Sequence, residues 1–148
     1  MTEETPQEQF DPDKWHNKKI TWNEKLFAKA QAFSFFHTET RYTKTLQNLI
    51  QHLKTKEAYE ENAVILIEDV SHFRTNIYIS TSKPIGKKYD TTISAVLISK
   101  VFTGDKLDKY KERLEQLAQS KNKEVKRFYI YHPQQEDSTH YTVILAEV

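Results

Sequence analysis

From residue 28 to residue 40, Ala28, Ala30, Ala32, Ser34 and Phe36 alternate with Lys29, Gln31, Phe33 and Phe35. That period of two, with its aromatics, predicts a first strand. The period then changes. Leu46, Leu49, Ile50 and Leu53 fall at the i, i+3, i+4, i+7 spacing with Gln47, Gln51 and Lys54 facing water, so an amphipathic helix is expected, with Thr43 as its cap. The continuous apolar run at 63–67 and the alternating run at 73–79 read as two strands of a hairpin, joined by a connector at 68–72.

The same succession of periods returns later. Pro84 and Gly86 interrupt regular structure, and Lys83, Lys87 and Lys88 keep residues 82–88 solvated. Beyond this break, residues 92–102 form a long predicted strand that ends at Thr103 and Gly104. Asp105 is placed to cap a helix carrying Leu107, Tyr110, Leu114 and Leu117. Residues 127–131 and 141–146 read as strands on either side of the polar, Pro-containing connector 132–140. Alternation puts Tyr129 and Tyr131 on one face, with Phe128 and Ile130 on the other.

The chain therefore reads as an α+β fold, a tandem duplication of a β-α-β-β unit with units at about residues 28–81 and 89–148. Pseudo-two-fold pairing of the units would pack two helices on an antiparallel sheet and leave a concave cleft. Residues 28–148 are expected to form the single domain. Residues 1–13 hold five acids and two prolines among few apolar groups, a composition that predicts a flexible tail. Residues 14–27 set Trp15, Ile20, Trp22, Leu26 and Phe27 in a basic stretch, read as an arm that covers the edge of the core.

Composition narrows the function. Lys plus Arg number 22 against 21 Asp plus Glu, so no global field draws the chain to nucleic acid or to an anionic membrane. The chain has no cysteine, which removes thiolate nucleophiles, disulfides and Cys-based metal sites. Two glycines cannot build a glycine-rich phosphate cradle. No apolar run reaches the roughly 20 residues of a membrane span and no signal-like segment opens the chain, so a cytoplasmic setting is expected. A small molecule or a protein remains as the partner, with the chain a monomer or dimer.

The duplicated unit, the Phe102-Thr103-Gly104 entry to the second helix, the turn Tyr129-Ile130-Tyr131-His132-Pro133 and the closing run 142–148 resemble the GyrI-like small-molecule-binding domain. In that family the turn reads Tyr-x-Asn-Asp-Pro and Gly-Pro-Tyr follows the strand; here Gly104-Asp105-Lys106 stands in the second place. The family's acid on the last strand falls at Val143, whose counterpart in the first unit is Asn76. The resemblance implies a stand-alone effector-binding domain. Among stand-alone relatives are binders of small molecules, binders of proteins and hydrolases.

Six histidines show no i, i+4 pair, so neither a metal site nor any other cofactor is expected. Glu39, next but one to His37 at the end of the first strand, is the acid best placed to enter the cleft. Asn76, Tyr78, Tyr129 and Tyr131 would add hydroxyls, an amide and aromatic faces able to orient a flat or cationic ligand. The main reading is a non-enzymatic binding domain that accepts a small amphipathic ligand between its two units. The alternatives are a protein-interaction module of gyrase-inhibitor type and a small-molecule hydrolase that uses Glu39 with a tyrosine hydroxyl.

Overall fold

In the computed structural model, which describes residues 11–33, 40–71, 73–103, 106–133 and 141–148, the two periods of the sequence become strands and helices in regular succession. A first group comprises β1 (Lys18–Phe33), α1 (Thr40–Thr55), β2 (Ile65–Ser71) and β3 (Arg74–Ser80). A second comprises β4 (Asp90–Thr103), α2 (Leu107–Ser120), β5 (Arg127–Tyr131) and β6 (Tyr141–Glu147). Neighbouring strands are antiparallel in the order β1-β3-β2-β5-β6-β4, and β4 pairs back to β1.

The expected α+β arrangement, a duplicated unit with two helices on an antiparallel sheet and a concave cleft, is thus corrected to a closed six-stranded barrel. The reason lies in β1. Its residues 27–33 pair with β3, while residues 18–28 pair with β4, so the basic stretch read as an arm contributes most of the closing ladder. Two strands long enough to pair on both sides let the sheet meet itself, which removes the exposed edges of an open sheet. A bulge between Trp22 and Lys25 sets two residues of β1 against Ser94 alone. There Glu24 takes a φ of 49°, and its N–H donates to Ser94 Oγ at 2.8 Å.

Closure divides the strand side chains into two sets. Phe27, Leu66, Tyr78, Leu97, Tyr129, Val143 and Leu145, each 5% exposed or less, fill the barrel interior. On the outside, Leu49 and Leu53 of α1 cover Ala28, Ile77 and Ile79. Leu114 and Ala118 of α2 cover Ile98, Ile144 and Ala146, and Tyr110 stacks on Phe102 at 4.0 Å. Trp15 and Trp22 pack against the interior set. Trp15 lies 5.4 Å from the Tyr131 ring, and Val101 N donates to His16 Nδ1 at 3.2 Å, so the segment ahead of β1 closes one mouth of the barrel. Among the described residues, no helix is long and apolar enough to cross a membrane.

Because Phe27 is fully buried where β1 passes from β4 to β3, it ties both ladders to the interior. Phe27→Ala is expected to lower the unfolding free energy by about 3–5 kcal/mol in urea titration. A loss below about 1 kcal/mol would show that the interior is not packed around this ring.

Candidate active site

Alternation along β2 carries Val64, Leu66 and Glu68 to the barrel interior, and the third of these is a carboxylate. The register gathers polar partners around it. Glu68 faces Asn76 across the β2–β3 ladder, and Leu66 faces Tyr78 one step further on. On the other side Leu66 faces Tyr131, so Glu68 comes opposite Tyr129 by the antiparallel count. Arg127 and Glu147 face one another between β5 and β6.

Glu68 is 8% exposed, and a buried carboxylate needs donors or a countercharge. It has both. Tyr78 Oη donates to Glu68 Oε1 at 2.9 Å, and Asn76 Nδ2 donates to the same oxygen at 3.1 Å. Arg127 Nη1 stands 3.6 Å from Glu68 Oε2, while Arg127 Nε is 2.7 Å from Glu147 Oε2. The second ion pair is the closer one, so Glu147 holds the half-exposed guanidinium while Glu68 keeps a looser contact. Asn76 is 6% exposed, and its Oδ1 has no protein partner among the described residues. Its orientation follows from the carboxylate, because the amide must turn its N–H groups toward Glu68.

The tyrosine hydroxyls respond to the same surroundings. Burial, then the Glu68 charge and the hydrogen bond to it, push the Tyr78 pKa far above its ordinary value. Burial and the Glu68 charge also raise Tyr129, against the opposing pull of Arg127. The Tyr78 and Tyr129 rings meet edge to face at 5.7 Å. Both hydroxyls therefore hold their protons more tightly than usual; Tyr78 donates to Glu68, and Tyr129 accepts from Arg127.

The cluster is reached from outside through a seam. β2 and β5 share two residue pairs, Leu66 with Tyr131 and Ile67 with Ile130, and then diverge. A cleft of about 440 Å³ lies there, with Glu68 and Val70 on one side, Arg127 and Phe128 on the other, and Asn76 and Tyr78 at its back. Among the described residues, no group of three His, Cys, Asp or Glu side chains could hold a metal ion.

Of the residues singled out in the sequence, Asn76, Tyr78 and Tyr129 come together here. Tyr131 also faces the interior set, but it stands beside Trp15 at the closed mouth. Glu39 lies outside the described residues. Glu68, Arg127 and Glu147 were missed. The connector assigned to residues 68–72 hid Glu68, although the alternation Val64, Leu66, Glu68 was the signal that would have found it.

A raised tyrosine pKa has a consequence for stability. Above the ordinary value of 10.0 the unfolded chain releases the Tyr78 proton while the folded chain retains it, so this contribution is present below that pH and is lost as pH rises. Urea titrations at successive pH values are expected to show stability falling on the alkaline side, with a shallower slope in Tyr78→Phe. An unchanged slope in the variant would contradict the buried, carboxylate-bound hydroxyl.

No curated protein and no solved structure matches the chain. A family described as bacterial hydrolase matches residues 2–148. This overturns the resemblance to the GyrI-like effector-binding domain, and with it the reading as a non-enzymatic ligand-binding module. That resemblance rested on element order and on residues at turns and strand ends. These describe the path of the chain, and one path can host unrelated functions. The match spans all but the first residue, and the chain belongs to the bacterial hydrolase family.

Proposed function

We propose that the chain is a hydrolase in which Glu68 activates a water molecule. The observation that carries this reading is a carboxylate, 8% exposed, that borders an open cleft and lies beside a buried acceptor with no protein partner. Water has two protons to donate. One goes to Glu68 and the other to Asn76 Oδ1, which leaves an oxygen lone pair directed into the cleft. As Glu68 takes the first proton, the water oxygen forms a bond to the electrophilic centre of the substrate. The bond to the leaving group then breaks, and that group recovers the proton from Glu68.

The neighbours have distinct tasks. Tyr78 and Asn76 hold Glu68 Oε1 and fix the direction of the carboxylate, so in this scheme they are positioning residues. Arg127, anchored by Glu147, places positive charge beside the cleft, where negative charge develops on the substrate oxygen. Tyr129 adds a protonated hydroxyl between Arg127 and Glu68. A chain without cysteine needs no oxidising compartment, which supports a cytoplasmic setting.

The test is a panel of 4-nitrophenyl esters and anilides, assayed with the full chain and with Glu68→Gln. Gln keeps the shape of the side chain and an acceptor for Tyr78, but it cannot take a proton. Loss of the base is expected to reduce kcat/KM by about 10²–10⁴-fold with circular dichroism unchanged. Turnover within about threefold of the parent would remove Glu68 from the chemistry.

A further inference from the structure

The cleft rim has an electrostatic asymmetry that the hydrolytic scheme does not use. Lys29 from β1, Lys111 from α2 and Lys126 just ahead of β5 all border the cleft. The ion pairs among the described residues both belong to Arg127, which already faces Glu68 and Glu147. Among the described residues, the three lysines make no such ion pair. Asp69, the remaining acid at the cleft, accepts from Thr75 Oγ1 at 3.1 Å and is exposed.

Two of the ammonium groups are held at the rim by aromatic faces. Lys29 Nζ stands 5.6 Å from the centre of the Tyr78 ring, and Lys111 Nζ stands 5.7 Å from that of Phe128. Such contacts keep a cation near a surface without neutralising it. Three elements distant in sequence thus bring lysines to one opening, where with Arg127 they outnumber the Glu68, Asp69 and Glu147 carboxylates four to three, and Tyr78 joins that rim to the carboxylate behind it. Solvated lysines scattered along a helix would not converge in this way.

We infer that the substrate carries a carboxylate or phosphate group, held by Lys29, Lys111 and Lys126 while Glu68 acts on a neighbouring bond. This specificity rests on the hydrolase reading for its second half only, because the anion site itself requires no turnover. The anion would also draw the substrate into the cleft, so its affinity depends on ionic strength.

Isothermal titration of the full chain with succinate, inorganic phosphate and choline tests the inference. Succinate or phosphate is expected to bind, and whichever binds more tightly identifies the anion. Choline is expected not to bind. Lys29→Gln combined with Lys126→Gln is expected to weaken the anion by about tenfold or more, and Lys29→Arg to restore part of that loss. Should the double variant fail to fold, raising the salt concentration on the parent decides instead, with weaker anion binding expected. Glu68→Gln is expected to bind the anion at least as tightly as the parent. Anion binding without hydrolysis of any ester would overturn the proposed function and leave this site standing. Hydrolysis of neutral esters without anion binding would do the reverse. Equal affinity in the double variant, or choline bound as tightly as the anions, would overturn the inference.

Discussion

The double pairing of β1 governs the molecule. One half of this strand is bonded to β4 and the other to β3, and through it the sheet closes. Closure fixes an inside and an outside for every strand residue, because side chains alternate across the backbone. The outside set is apolar where α1 and α2 cover it. The inside set is aromatic and aliphatic over most of its length, and Trp15 and Tyr131 fill one mouth. Toward the other end it becomes polar, with Asn76 and Glu68 facing the same interior.

That change of character sets a charged group inside the barrel. A carboxylate in a packed interior is costly unless its charge is met. Here two donors share one oxygen and an arginine approaches the other. Tyr78 and Asn76 are themselves held by the ladders on either side of β3, so the donors cannot drift from the carboxylate. The short β2–β5 pairing supplies what a fully zipped barrel would lack, an opening beside the charged group. A rigid site and its access route thus come from the same register.

Much of the local structure was legible. The helical stripes at Leu49, Leu53, Leu114 and the alternation around Tyr129 and Tyr131 were read correctly, because each depends on neighbours a few residues apart. Closure was not legible. The bulge at β1 shifts the alternation by one, so Ile20 and Trp22 fall on even positions while Phe27, on the same interior face, falls on an odd one. The polar run Asn23-Glu24-Lys25 between them further obscures the period, and the pairing with β4 spans about seventy positions of sequence. Glu68 was lost for a different reason. A charge after a run of β-branched residues reads as the start of a turn, and only the barrel interior gives it a place within the strand. Asn76 was singled out as the counterpart of Val143, and Tyr78 and Tyr129 as aromatic hydroxyls on strands; the structure gathers the three around Glu68, whereas the acid chosen in the sequence was Glu39.

The proposed hydrolysis depends on water meeting Glu68 inside the barrel, oriented by Asn76. A crystal structure at a resolution that orders solvent tests it most directly. A water molecule is expected to bridge a Glu68 carboxylate oxygen and Asn76 Oδ1, open on its third side to the cleft between β2 and β5. Asn76 Oδ1 bonded to a protein donor, with the space before Glu68 filled by side chains, would contradict it.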